Sequence, residues 1–109
     1  MKFPKAVRIA GRQWAIRRRR TSTLVDCVGL CHYDKGVIDV ALSQTPFDTR
    51  DTTLHEVLHA ILLNAGFQRS TDEEERYVLA LATGLTGVLQ DNPEFAKWLI
   101  QPITKKSPS

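Results

Sequence analysis

A chain of 109 residues, 42% of them hydrophobic and 25% charged, has the composition of one ordinary globular domain, which excludes a disordered or low-complexity chain. No apolar run approaches the roughly 20 residues that span a bilayer. The formal net charge is only +3, from 15 basic and 12 acidic residues. We therefore expect a soluble cytoplasmic protein with no membrane contact, folded as a single domain over residues 1–109 with a loose polar tail from about residue 104.

The first 42 residues predict a small, mostly antiparallel sheet of three to four strands. Over residues 6–16 apolar residues alternate on either side of Gly11, which favours a β-hairpin because glycine tolerates the positive φ of a tight turn. Residues 23–33 form a second strand-like stretch. The turn sequence Asp34-Lys35-Gly36 follows it, and a further strand is expected over 37–42.

A strongly helical run follows the sheet. We expect this first helix to cover residues 52–65, with Asp51 as its N-cap and Gly66 as the residue that ends it. The preceding segment, 43–50, is then a polar connector.

Two shorter signals predict the rest of the chain. Overlapping capping boxes in 70–74, Ser70 with Glu73 and Thr71 with Glu74, start a second helix that continues to about residue 90. Pro93 starts a third helix that ends near residue 101. The predicted fold class is therefore α+β, with the sheet followed by an active-site helix, a glutamate helix and a short C-terminal helix.

The clearest chemical signal is the segment His55-Glu56-Val57-Leu58-His59 of the first helix. Histidines four positions apart lie about 40° apart around a helix, so both imidazoles can reach one metal ion. Glu56 is turned about 100° from His55 and can address a water molecule on that metal. Both histidines border the apolar face of the helix, which suits the wall of a cleft. The pattern favours a hydrolytic zinc site over two polar residues placed by chance at a helix margin.

A catalytic zinc ion usually has three protein ligands and one open position, so a third ligand is required. The glutamates at 73–75 are the favoured source. Three other donors remain open: His32, Cys27 and Cys31.

The choice among the glutamates depends on which face of the second helix packs inward. Glu74 is the first choice because it continues the stronger apolar stripe. That stripe consists of Tyr77, Val78, Leu81, Leu85 and Val88. Glu75 continues a weaker stripe, formed by Val78, Leu79, Ala82 and Leu89. The alternative role for Glu74 is a helix cap paired with Thr71.

An HExxH helix followed by a helix that opens with glutamates resembles the gluzincin metallopeptidases. The most similar members are the minigluzincins and the ImmA/IrrE-like peptidases that are common in phages and prophages. The resemblance covers the order of elements from about residue 6 to residue 100. It implies a zinc endopeptidase with His55 and His59 as ligands, Glu56 as general base and a glutamate of the second helix as third ligand.

In such an enzyme zinc lowers the pKa of its bound water toward about 7, and Glu56 accepts the water's proton. Tyr77 is the expected transition-state donor, with His32 or no donor as the alternatives. The segment 27–33 is the candidate edge strand for an extended peptide substrate. Gly29 within it either permits close approach of a backbone or forms a bulge.

Two hypotheses about function remain open. The first is a monomeric zinc endopeptidase that acts on a protein or peptide. The second is a catalytically idle zinc-containing module that recognises nucleic acid or an acidic protein through Arg17–Arg20, although such a run is also typical of a charged edge strand. The intact Glu56 favours the enzyme, because a structural zinc site needs no proton acceptor beside an open coordination position.

Overall fold

Four strands precede three helices in the computed structural model, which describes residues 2–20, 27–67 and 71–103. The strands are β1 (Ala6–Ile9), β2 (Arg12–Arg19), β3 (Gly29–His32) and β4 (Val37–Ala41). The helices are α1 (Pro46–Asn64), α2 (Asp72–Asp91) and α3 (Pro93–Ile100). The α+β fold class is confirmed. None of the helices in these described ranges is long and apolar enough to cross a membrane.

The strands form one mixed sheet in the order β1-β2-β4-β3. The predicted hairpin is confirmed: β1 and β2 are antiparallel and joined by Ala10 and Gly11, whose φ angles of 49° and 83° fit a two-residue turn. β3 and β4 are also antiparallel, whereas the central pair, β2 and β4, is parallel. β3 is therefore an edge strand.

The core lies between one face of this sheet and α1. Its buried members are Ile9, Trp14, Ile16, Ile38, Val40 and Ala60. Five of these six residues come from the strands, since every second residue of a strand points to the same face. The single helical member, Ala60, is small and lets α1 lie close to the sheet.

α1 begins earlier than the sequence predicted. The hydroxyl of Thr45 accepts a hydrogen bond from the backbone N–H of Asp48 at 3.1 Å, and Pro46 occupies the first turn. The expectation of a polar connector over 43–50 is therefore wrong for most of that segment. Asp51, the expected cap, instead accepts a 2.9 Å hydrogen bond from Thr83 of α2. The end of the helix is as predicted, with Gly66 at a φ of 97° just beyond it.

α2 begins as predicted but turns a different face inward. Thr71 caps it by accepting a hydrogen bond from the N–H of Glu74 at 3.1 Å, whereas Ser70 lies outside the described residues. Its buried residues are Val78, Ala82 and Thr86. The stronger apolar stripe is exposed at Tyr77, Leu81, Leu85 and Val88. The helix therefore approaches its neighbours through the stripe that contains Glu75.

On the face of the sheet opposite α1, a buried carboxylate binds the neighbouring arginines. Asp39 of β4 is 4% exposed and accepts hydrogen bonds from Arg17 at 2.8 and 3.1 Å. Nε2 of His32 lies 2.7 Å from the same carboxylate, and Nε of Arg19 lies 3.6 Å away. Burial alone would raise the pKa of Asp39, but the hydrogen bonds from Arg17 and His32 outweigh it and hold the pKa below its usual value.

We expect Asp39→Asn to destabilise the fold by about 1–3 kcal/mol at pH 7, because it removes charge-assisted hydrogen bonds from a buried group. A lowered folded-state pKa stabilises the protein above the unfolded pKa and ceases to do so as the pH falls through the folded value. The difference in unfolding free energy between wild type and variant should therefore shrink below about pH 4. Urea denaturation at pH 7 and pH 3 measures it, and an unchanged difference would contradict the assigned role of the carboxylate.

Candidate metal centre

α1 presents two neighbouring lines of side chains to two different parts of the fold. Thr52, Glu56 and Ala60 are buried beneath the sheet. His55 and His59 lie one turn apart on the adjacent line, where they are partly buried and point toward the start of α2. Their rings meet edge to face, with centroids 4.8 Å apart. The helical period alone thus brings both imidazoles to the junction of α1 and α2.

Glu75 of α2 completes a three-residue cluster at this junction. One carboxylate oxygen lies 2.7 Å from Nε2 of His55, and the other lies 2.9 Å from Nε2 of His59. The two Nε2 atoms are 3.2 Å apart. One ligand atom from each of the three residues can be chosen so that all lie within 4.8 Å of one another. The cluster is a possible metal site consistent with an HExxH pattern.

The structure thus brings Glu75, rather than the expected Glu74, to both Nε2 atoms. Glu74 stands on the other side of His59, with a carboxylate oxygen 3.8 Å from Nδ1. The difference is one residue, or about 100° of helix rotation, and follows from the inward face of α2. At 3.8 Å the Glu74 carboxylate is too far to accept a hydrogen bond from Nδ1 of His59, but its charge favours a proton on that nitrogen, as carboxylates near metal-bound histidines do.

The donor set fits a metal ion. Ligand atoms around a tetrahedral zinc ion at about 2.0–2.1 Å stand about 3.3 Å apart, close to the 3.2 Å between the two Nε2 atoms. A simpler interpretation is a hydrogen-bonded contact that fixes α2 on α1. Both contacts use the same three side chains, and the approach of two imidazole nitrogen atoms and one carboxylate to one point also matches the donor arrangement of a metal site.

Glu56 lies beside this cluster but faces the sheet. It is 8% exposed, and its carboxylate packs against the backbone of Gly29 in β3: a Cβ at that glycine would lie 3.0 Å from Oε2 of Glu56. Burial, and to a lesser extent the charge of Glu75, raise the pKa of Glu56 to about 7. A bound cation would act in the opposite direction and favour the ionised carboxylate.

The cluster and Glu56 share a cleft of about 700 Å³ between α1, the start of α2 and the edge strand. Gly29, Leu30 and Cys31 of β3 line one side of it, which agrees with the predicted edge strand. β3 pairs with β4 residue by residue, so Gly29 permits close approach of α1 and does not form a bulge.

The structure does not bring the two expected donors into this cleft. Tyr77 is 63% exposed on the outer face of α2, and His32 contacts Asp39 on the other face of the sheet. Neither residue lines the cleft. The sequence analysis did not place Asp48 or Asp51 in the site, although both residues line the cleft. Asp48 and Asp51 precede His55 by seven and four residues, a spacing that places all three on one side of a helix. The sequence did not reveal this, because the predicted helix began only at residue 52.

The arginine run is divided between the two faces of the sheet. Arg17 and Arg19 flank Asp39, whereas Arg18 donates to the backbone oxygens of Ala41 and Leu42 at 3.4 and 3.0 Å. Arg20 is exposed just beyond β2. The four guanidinium groups therefore do not form one continuous patch.

No protein-family model, curated protein or solved structure matches this chain.

Gly29→Ala should displace the Glu56 side chain, because the added methyl group would also lie 2.6 Å from Cγ2 of Thr52. We expect a loss of about 1–3 kcal/mol in unfolding free energy, as for other overpacked positions. The histidines should still bind a metal ion, since the atoms nearest to the added methyl group belong to Thr52 and Glu56. Thermal denaturation and metal titration measure the two effects. Gly84→Ala is the control, because its Cβ would meet nothing within 4 Å, and equal stability of the Gly29 variant and wild type would refute the close approach.

Proposed function

We propose that the protein is a zinc-dependent metallopeptidase that hydrolyses peptide bonds in a protein or peptide. One observation carries the proposal: His55, His59 and Glu75 converge on one point of a cleft that the buried carboxylate of Glu56 also lines. Metal binding alone would not require Glu56, whereas hydrolysis requires a proton acceptor beside the metal.

The donor set supports zinc over magnesium and calcium. Two imidazoles and one carboxylate are the ligands of many hydrolytic zinc sites, which leave a further position for water. Magnesium and calcium prefer sites made of oxygen atoms, so two of these three ligands would suit them poorly. When bound, zinc supplies Lewis acidity, lowering the pKa of a coordinated water toward about 7 and polarising the substrate carbonyl.

The chain's own residues supply proton transfer and substrate alignment. Glu56 accepts a proton from the attacking water and returns it to the nitrogen of the leaving amine. Contact with Gly29 fixes the position of this carboxylate. The edge strand β3 offers a backbone along which an extended substrate can align.

We expect the purified protein to bind one zinc ion, and His59→Ala to abolish the binding because it removes one of three ligands. His32→Ala is the matched control: it removes the histidine that lies outside the cleft and should leave the zinc content unchanged. Isothermal titration and elemental analysis measure the stoichiometry. A wild-type protein supplied with zinc that retains none would refute the proposal.

The glutamates can be compared in the same titration. Glu75→Ala should weaken zinc binding most, because Glu75 alone contacts both Nε2 atoms. Glu74→Ala should weaken it by about tenfold or more if Glu74 orients His59, as removal of such outer carboxylates does elsewhere. Glu73→Ala serves as the control. A loss confined to Glu74→Ala would restore Glu74 as the ligand.

Glu56→Gln should retain zinc and the fold but lose peptide hydrolysis, because an amide of the same shape cannot accept a proton. We expect kcat to fall by about 10²-fold or more. Cleavage of an unfolded protein such as casein, followed by mass spectrometry, gives the rate. Equal turnover by this variant and wild type would remove Glu56 from the mechanism.

A further inference from the structure

The cleft is lined by acidic side chains without matching basic ones. Five carboxylates line it: Asp48, Asp51, Glu56, Glu74 and Glu75. No lysine or arginine of the described ranges does so.

The charge of a bound metal does not cancel this acidity. The two positive charges of a divalent ion are balanced by two carboxylates, Glu75 as ligand and Glu56 as base. The negative charges of Asp48, Asp51 and Glu74 then remain. Neither aspartate forms an ion pair within the described part of the chain. Asp51 accepts a hydrogen bond from the hydroxyl of Thr83, which fixes its side chain but leaves its charge uncompensated.

A second, separate observation points to an occupant of this cleft. The carboxyl group of Glu56, in a side chain more than nine-tenths buried, has no hydrogen-bond partner among residues 2–20, 27–67 and 71–103, and it lines the same cleft. Buried polar groups are nearly always hydrogen-bonded, so a polar or cationic ligand is expected beside it. The cleft is therefore more than a group of surface acids.

The helix sets the distance between the aspartates and the metal ligands. Asp51 and Asp48 precede His55 by four and seven residues, or about 6 and 10 Å along α1 at 1.5 Å per residue. An extended peptide rises about 3.3 Å per residue, so these distances correspond to two or three substrate residues. Both aspartates lie on the helical line that contains His55.

We propose that Asp48 and Asp51 select substrates with a lysine or arginine two or three residues from the scissile bond. This inference rests on the proposed function, because it assumes that a peptide lies across the metal site. The long side chain of a basic residue reaches the carboxylates from an extended backbone, while Leu30, Leu63 and Leu79 offer apolar contacts for other side chains in the cleft.

The test separates binding from hydrolysis. Zinc-loaded Glu56→Gln protein is titrated with short fluorescent alanine-rich peptides that carry lysine, glutamine or glutamate at the same alternate positions. We expect the lysine peptide to bind about fivefold to tenfold more tightly than the glutamine peptide, as for two solvent-screened ion pairs. The preference should weaken with added salt, and the glutamate peptide should bind least.

Adding Asp48→Asn and Asp51→Asn to this variant should bring the ratio of lysine to glutamine affinity close to one. The matched control adds Asp34→Asn and Asp72→Asn, which remove the same charge from exposed aspartates outside the cleft, one of them in the first turn of α2. The control should keep the preference. If the cleft double variant does not fold, the salt dependence and the three peptides still decide the question.

Hydrolysis by the wild-type protein distinguishes the two proposals. Equal affinity for the lysine and glutamine peptides overturns the inference about the substrate, even when both peptides are cut. A lysine preference that the aspartate variants remove supports the inference. If the wild type then cuts neither that peptide nor casein, the acidic cleft stands and the peptidase proposal fails.

Discussion

The candidate site depends on the close seating of α1 against the edge of the sheet. Residues one position apart on a helix are turned by 100°, so the line that faces the sheet and the line that faces α2 run side by side. Glu56 belongs to the first line and His55 to the second. They share a cleft because the glycine of β3 allows α1 to approach without a side chain between them. A wider spacing would fill this region with side-chain atoms or water and would leave Glu56 solvated.

The close packing of α1 against the sheet is unfavourable for stability at Glu56. Burying a carboxylate without a hydrogen-bond donor is unfavourable, and the rise in the pKa of Glu56 to about 7 reflects that cost together with the nearby charge of Glu75. An apolar residue at position 56 would suit the interior better. Asp39 shows the contrast, because it is also buried but receives hydrogen bonds from Arg17 and has a lowered pKa. One buried acid is thus stabilised by its neighbours, whereas the other has no hydrogen-bond donor beside it among the described residues and has a raised pKa.

The sequence predicted those features that depend on neighbours along the chain. The turn at Gly11, the cap at Thr71 and the pairing of His55 with His59 are all local, and the structure contains each of them. The start of α1 was missed because two valid caps, Thr45 and Asp51, lie six residues apart and the helix uses the earlier one. The parallel pairing of β2 with β4 was likewise beyond local pattern, since β3 lies between them in the chain.

The glutamate that contacts the two histidines shows most clearly how far prediction from sequence reaches. Hydrophobicity ranked the stripe of Leu81 and Leu85 above that of Ala82, but two helices that approach closely need small side chains at their contact. α2 therefore buries Ala82 and Thr86 and leaves the leucines exposed. The same rotation carries Glu75 to the histidines. An apolar stripe identifies a face that can be buried, whereas the fit to the neighbouring helix decides which face is.

The cleft is acidic although the protein as a whole has a positive net charge. The chain has a net charge of +3, and its arginine run invites the hypothesis of an anionic partner. In the fold, Arg17 and Arg19 surround Asp39 on the outer face of the sheet, and Arg18 is engaged by backbone oxygens. Among the described residues, no lysine or arginine lines the cleft beside its five carboxylates. Electrostatic steering acts through the local field at a cleft and not through the sum over the molecule, so a basic protein can still attract a cationic substrate to this site.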